Sequence, residues 1–101
     1  MIFILIQVIY AMVKIALTQL KPVADKDVSL RNIEYYAGTA AANSADLIVF
    51  PEYYMFYSQY KDAIIRNAEV LNGNYINRLK EVSRTTKIGI FFAFIVQFLE
   101  F

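Results

Sequence analysis

One carboxylate stands out among the residues that could do chemistry, because of where it sits in the chain. In the stretch "DLIVFPEYY", residues 46–54, an apolar run meets Pro51 and Glu52 follows at once. Proline has no N–H to donate to a neighbouring strand, so a ladder of strand hydrogen bonds must end there. In an open parallel sheet, ligands bind beyond the carboxyl ends of the strands. Glu52 is therefore placed to act as a general base if its neighbours desolvate it, and the alternative is an ordinary solvent-facing carboxylate.

An aromatic loop comes directly after this carboxylate. Its run "YYMFY" provides Tyr53, Tyr54 and Phe56, which we single out as candidates for a substrate pocket. Such side chains can wall a pocket dry enough to perturb Glu52. The same loop could instead pack down on the edge of the sheet or contact another subunit. The sequence leaves these two interpretations open.

Two missing residue types exclude several kinds of site within this chain. The sequence has no cysteine and no histidine, which removes disulfides, thiolate metal sites, a cysteine nucleophile and Ser-His or Cys-His arrangements. The turn "KPVADKD", residues 21–27, has no glycine, so it is not a phosphate cradle of the dinucleotide-binding or P-loop kind. We therefore expect neither a cofactor nor a metal.

The charge balance argues against a nucleic-acid partner. Ten basic and nine acidic residues are scattered along the chain, and they form no basic stripe that could follow a phosphate backbone. The lysines are spaced as surface charges, and none stands at a strand end that would aim it at Glu52.

The chain is small and unusually apolar. It has 101 residues, enough for one domain, and 58% of them are hydrophobic while only three are glycine and two are proline. The usual apolar share is about half. The chain is therefore either very well packed or part of something larger.

Apolar runs and helical periodicities alternate along the chain from Met12 onwards. The predicted elements are a strand at 13–20, a helix from Asp25 or Asp27 to about Asn43, a strand at 45–50, a helix at 61–71, a helix at 74–86 and a strand at 87–96. This β-α-β-α-α-β order predicts an α/β fold with a mostly parallel sheet and right-handed crossovers. Gly38, inside the first helix, suggests close packing at that point.

The first eleven residues form an apolar segment ahead of this pattern. The run is too short to span a membrane and lacks the charge and cleavage pattern of a signal peptide. We interpret residues 1–11 as an N-terminal extension and residues 12–101 as the domain portion, so a chain that begins at Met12 should behave like the full chain. An interfacial membrane anchor is the alternative, and membrane association is not expected.

Three stretches together resemble the opening of the carbon–nitrogen hydrolase, or nitrilase, superfamily. They are "VKIALTQLKPVADKDVSLRNI", "ADLIVFPE" and "LNGNYINRLKEVSRTTKIGI", in the family's order and spacing over about residues 13–92. Ser29 stands where the family commonly has asparagine, and Ser44 where it commonly has glycine. The family domain is a much longer α-β-β-α sandwich, so the resemblance implies that this chain is its N-terminal portion, truncated and with an incomplete sheet.

The resemblance implies a chemistry built on glutamate, lysine and cysteine. Glu52 matches the family's general base, while the cysteine attacks an amide or nitrile carbon and the lysine stabilises the charged intermediate before water cleaves the thioester. The family places the lysine and the cysteine beyond the third predicted strand, and neither motif is in this chain. The chain alone is therefore expected to be inactive, as a fragment of a cytoplasmic enzyme for small amides or nitriles.

Two other functions remain open. A non-catalytic protein could keep this half of the sandwich and pair with another chain, with a missing C-terminal part or with itself through the open sheet. The third and minor hypothesis is a peptide that binds a membrane surface through its apolar termini.

Overall fold

Helices connect parallel strands in the part of the chain that the structure covers. The structure, a computed structural model, describes residues 2–8, 13–68 and 70–92. The elements in these ranges are β1 (Ile2–Val8), β2 (Val13–Gln19), α1 (Lys26–Ala42), β3 (Leu47–Val49), α2 (Lys61–Arg66), α3 (Asn74–Thr86) and β4 (Gly89–Phe91). The α/β class and the parallel sheet predicted from the sequence are confirmed.

The strands form one sheet in the order β1-β2-β3-β4. The pairs β2–β3 and β3–β4 are parallel, so that Ile15 lies beside Leu47 and Leu47 beside Gly89. α1 connects β2 to β3, and α2 and α3 connect β3 to β4, as the sequence order requires. The carboxyl ends of β2, β3 and β4 therefore lie at one edge of the sheet.

β1 is an element that the sequence analysis did not assign. It pairs antiparallel with β2, from Ile2 beside Gln19 to Val8 beside Val13. The N-terminal segment, interpreted from the sequence as an apolar extension, thus provides the strand that closes the outer edge of β2. The sequence shows only a continuous apolar run there, which periodicity alone does not identify as a strand.

The core lies between the sheet and the two long helices, α1 and α3. These helices pack on each other and on one face of the sheet. The hydrophobic side chains buried there are Ala16, Ile33, Ala37, Ala40, Ala45, Ile48, Phe50, Tyr54, Met55, Tyr75, Ile76, Leu79, Val82 and Ile88. An ion pair from Arg78 Nε to Glu34 Oε1, at 2.7 Å, joins the two helices at their surface.

The opposite face of the sheet is apolar, and no helix within the described ranges covers it. Alternation along the strands directs its side chains away from the core, and they are half-buried or exposed. We call this the open face, formed by Ile15, Leu17, Leu47, Val49 and Phe91. Phe91 is 63% exposed. The described chain is thus one helical layer on one sheet, with the second face left bare.

α1 has both ends fixed by its sequence. Asp25 caps the first turn, accepting hydrogen bonds from the backbone N–H of Asp27 and Val28 at 2.9 and 3.1 Å. At the other end, Ala45 N–H donates to Ala40 O and Ser44 N–H to Ala41 O, with Ser44 left-handed at φ 63°. This is the Schellman pattern, in which glycine predominates at the left-handed position.

Gly38 does not mark a close approach, contrary to the expectation from the sequence. The residue is exposed on α1, and a side-chain carbon added to it would meet no atom within 4 Å. A helix tolerates an exposed glycine at a cost of about 1 kcal/mol, without any packing reason.

α2 is shorter than the predicted helix over 61–71. It ends at Arg66, where the Asn67 side-chain Nδ2 donates to Ala63 O at 2.8 Å and competes with helix continuation. Leu71 lies outside the helix and is 67% exposed. The apolar periodicity beyond residue 66 therefore does not represent a buried helical face.

α3 matches its prediction at both ends, and the strand after it is shorter than predicted. Lys87 adopts the left-handed conformation that ends α3, and β4 covers three of the residues predicted as strand over 87–96. Residues 93–96 of that prediction lie outside the described residues. Within the ranges that the structure describes, no helix has the length and hydropathy needed to cross a membrane.

Candidate functional site

Glu52 lies at the carboxyl edge of the parallel sheet, immediately beyond β3. The chain before it is firmly bonded: Thr18 Oγ1 donates to Val49 O at 2.8 Å, and Phe50 N–H donates to Phe91 O at 3.1 Å. Pro51 then ends the ladder because it has no N–H. β3 ends at Val49, one residue before the predicted end of the strand, so Glu52 is the third residue beyond it.

The chain after Glu52 returns to the core within two residues. Tyr54 and Met55 are 1% and 2% exposed. The Tyr54 ring stacks on Phe50 with ring centres 5.6 Å apart, and its hydroxyl accepts a hydrogen bond from Asn32 Nδ2 at 3.1 Å. Glu52 thus stands on a short span between two buried aromatic anchors.

The backbone of this span has little freedom. Pro51 fixes its own φ, and Tyr53 holds a left-handed φ of 62°. A tyrosine in that region carries strain of about 1 kcal/mol or more, which persists only where the surroundings impose it. The bonds on either side of the span impose it here.

Ser29 connects the end of the span to both long helices. Its side chain is fully buried, and its Oγ lies 2.8 Å from Met55 O, 2.8 Å from Tyr75 Oη and 3.0 Å from Lys26 O. α1, α3 and the loop after Glu52 therefore meet at one hydroxyl group.

The Glu52 side chain itself points away from this anchored core. It is exposed, and no hydrogen bond or ion pair joins it to another residue in the described ranges. The ion pairs found there lie elsewhere, between Arg66 and Asp62, Arg78 and Glu34, and Arg84 and Glu81. The described chain holds the Glu52 backbone in place and leaves the carboxylate accessible.

The three aromatic candidates lie in three different environments. Tyr54 belongs to the core, Phe56 is half-buried against it, and Tyr53 is 40% exposed. Burial raises the pKa of the Tyr54 hydroxyl, opposed by the hydrogen bond from Asn32, so this group stays neutral at physiological pH. The Tyr53 ring meets the Tyr57 ring edge-on at 5.8 Å.

Tyr53 faces an open cavity of about 500 Å³ beside α2. This volume is within the usual range of small-molecule sites, about 300–1,000 Å³. Its walls are Tyr53, Tyr57, Ser58, Gln59, Lys61, Ile64 and Ile65. Of the three predicted pocket residues, only Tyr53 contributes to it.

The residues that anchor the loop were missed by the sequence analysis. Ser29 and Asn32 are three residues apart on α1 and so share one face of that helix. A pair of small polar residues beside an apolar stripe is a weak signal, and nothing in it names a partner 46 residues away such as Tyr75. Among the described residues, no group of three or more acidic side chains is arranged to hold a metal ion.

The chain is similar in sequence to a known protein family. A sequence model of the carbon–nitrogen hydrolase family matches residues 14–97. The match begins inside β2, runs through α1, β3, α2, α3 and β4, and includes Glu52. No curated protein matches the chain at a significant level.

Proposed function

The chain belongs to the carbon–nitrogen hydrolase family, and from that membership we propose that Glu52 is the general base of a site that hydrolyses small amides or nitriles. The observation that carries the proposal is the placement of Glu52. Its carboxylate is accessible just beyond a parallel strand, while the backbone that bears it is bonded on both sides.

The reaction we propose begins with proton transfer to Glu52. A cysteine thiol gives its proton to this carboxylate, and the resulting thiolate attacks the carbon of the amide or nitrile. In amide cleavage, the protonated Glu52 then returns the proton to the leaving nitrogen, and a thioester forms. A nitrile gives a thioimidate instead, and a water molecule replaces its nitrogen, which leaves as ammonia, to give the same thioester. Water, deprotonated by the same carboxylate, then attacks the thioester carbon, the carbon–sulfur bond breaks, the acid is released and Glu52 returns the proton to the cysteine sulfur. A lysine beside the reacting carbon stabilises the negative charge that develops on its oxygen or nitrogen.

The cysteine of this scheme cannot come from the 101 residues, which contain none. We propose that the cysteine and the lysine are supplied by a further segment or a second chain, docked on this edge of the sheet in the cytoplasm. That docked segment would also exclude water from Glu52, which no described residue covers. The 101 residues alone would therefore have a general base but no nucleophile, and they should not hydrolyse amides or nitriles.

The test is reconstitution followed by a single substitution. The chain is combined with a segment that carries the lysine and the cysteine, and release of ammonia from a panel of amides and nitriles is measured. Glu52→Gln keeps the shape of the side chain and removes the base, so turnover should fall by about 10²-fold or more. Persistence of full turnover in this variant would make Glu52 a loop carboxylate without a catalytic role.

Glu81→Gln is the matched control for that substitution. Glu81 is another exposed glutamate, on the far part of α3 and paired with Arg84. Removing its charge should leave turnover unchanged. A comparable fall in both variants would indicate a general effect of charge or stability rather than loss of a base.

A second candidate function is association without catalysis. The observation in its favour is the open face, whose side chains from three neighbouring strands are all apolar. A protein that uses this face alone would pair with a second copy of itself and would show no hydrolysis in any reconstitution.

A further inference from the structure

The three-residue span Pro51–Tyr53 connects two buried parts of the chain, and Glu52 is its central residue. On one side, Phe50 is 3% exposed and its N–H is bonded to Phe91 O. On the other side, Tyr54 and Met55 are buried. The position of Glu52 therefore depends on how firmly the second anchor is held, since that anchor belongs to a loop rather than to a strand.

The bonds at Ser29 show how the second anchor is held. Ser29 Oγ has one proton and lies within hydrogen-bond distance of two carbonyls and one hydroxyl. Carbonyl oxygens only accept, so Ser29 Oγ is the donor in both carbonyl contacts, of which Met55 O is the nearer at 2.8 Å against 3.0 Å. Either hydroxyl of the Ser29–Tyr75 pair can donate, and when the Ser29 proton lies on Met55 O it is the Tyr75 hydroxyl that donates to Ser29 Oγ.

A second bond from the same face of α1 reinforces the first. Asn32, three residues after Ser29, donates to the Tyr54 hydroxyl at 3.1 Å. Consecutive residues of the loop, Tyr54 and Met55, are thus each bonded to α1. Beyond them, Tyr57 N–H donates to Val23 O at 3.1 Å and closes the loop against the start of the helix.

We propose that the Ser29–Tyr75 hydroxyl pair is a positioning device for Glu52, holding the Met55 carbonyl so that the three-residue span keeps its carboxylate at the sheet edge. The proposal rests on the proposed role of Glu52 as general base. It concerns Ser29 and Tyr75 as positioning residues, since neither side chain reaches the carboxylate.

The experiment uses the full chain and does not depend on activity, so its failure is distinguishable from failure of the proposed chemistry. Amide hydrogen exchange of Met55 and Tyr57 is measured by NMR, together with the backbone order parameter of Glu52. Ser29→Ala removes the hydroxyl that is bonded to the Met55 carbonyl, so exchange at both amides should rise about tenfold. The Glu52 order parameter should fall from the rigid value of about 0.85.

Tyr75→Phe tests the same hydroxyl pair with a smaller perturbation. It keeps the ring, which stacks on Phe92 at 5.9 Å, and removes the hydroxyl that lies 2.8 Å from Ser29 Oγ. The loop should exchange about threefold faster, because Ser29 still has a proton for Met55 O. This variant also provides the measurement if Ser29→Ala does not fold.

Ser83→Ala is the matched control. Ser83 Oγ donates to Ile88 O at 2.6 Å, so the variant also loses a serine-to-carbonyl bond, but at the other end of α3. It should leave exchange at Met55 and Tyr57 unchanged. Unchanged loop exchange in Ser29→Ala and Tyr75→Phe, or an equal rise throughout the chain, would overturn the positioning role.

Discussion

Three described residues, Ser44, Tyr53 and Lys87, hold backbone conformations that favour glycine, and those of Ser44 and Tyr53 have different causes. Ser44 occupies the left-handed position of the Schellman turn that ends α1, at φ 63°. Tyr53 holds the same conformation, φ 62°, on the anchored span beside Glu52. The strain at Ser44 belongs to a helix end, where glycine removes it. The strain at Tyr53 lies next to the candidate base, where strained backbone is characteristic of functional sites.

Ser44→Gly should therefore stabilise the protein. Relief of the left-handed strain outweighs the extra entropy of an unfolded glycine, so the free energy of unfolding should rise by up to about 1 kcal/mol. The measurement is urea unfolding followed by circular dichroism. Asn43→Gly is the control, because Asn43 has an ordinary φ of −97° and gains nothing from glycine. Lower stability of Ser44→Gly than of the parent chain would contradict this account.

At the scale of the elements, the sequence predicted those whose ends are chemically marked. α1 begins at an aspartate cap and ends at the Schellman turn, and α3 begins after Gly73, so their bounds followed from local signals. Neither α2 nor α3 has a side-chain cap at its start, but α2 also ends early, where the Asn67 side chain donates to Ala63 O. The same division applies to the site. Pro51 marks the position of Glu52 locally, whereas the bonds from Ser29 and Asn32 join residues far apart in the chain.

β1 is the element that could not be predicted from the sequence, because an apolar run shows that it is an edge strand only once its pairing partner is known. Its backbone pairs with β2 from Ile2 to Val8. Without β1, the outer edge of β2 would present a row of unpaired N–H and C=O groups, which promotes strand-to-strand association.

A chain that begins at Met12 tests this role directly. We expect it to unfold at a lower urea concentration than the full chain and to sediment as larger species, because the β2 edge is bare. Sedimentation velocity and urea titration of the two chains side by side are the measurements. Equal behaviour would instead support residues 1–11 as a dispensable extension, the interpretation drawn from the sequence.

At the scale of the whole molecule, the open face determines how the described chain should behave in water. Side chains from β2, β3 and β4 present a continuous apolar surface that α1 and α3 do not reach. Parallel sheets are normally covered on both faces. The described portion is thus half of a covered sheet, and we expect the chain to self-associate through this surface.

Phe91→Lys should weaken that association. Phe91 is 63% exposed at the edge strand, and its contribution to the sheet is through its backbone oxygen, which the substitution keeps. A charge on the open face must be desolvated on association, so the monomer fraction in sedimentation equilibrium should rise. Tyr35→Lys is the control, since Tyr35 is 67% exposed on α1 and away from the open face. A full chain that is already a stable monomer at micromolar concentration would disprove the expectation.

The antiparallel pairing of β1 with β2 also bears on the order in which the molecule assembles. Its nearest partners, Val8 and Val13, are separated by residues 9–12, whereas the parallel partners Ile15 and Leu47 enclose the whole of α1. Loop closure is entropically cheaper and faster over short separations, so the β1–β2 ribbon should form first. During synthesis it can form once Gln19 has left the ribosome. One edge of β2 would then already be paired with β1, so before β3 forms only the other edge could pair with a wrong strand.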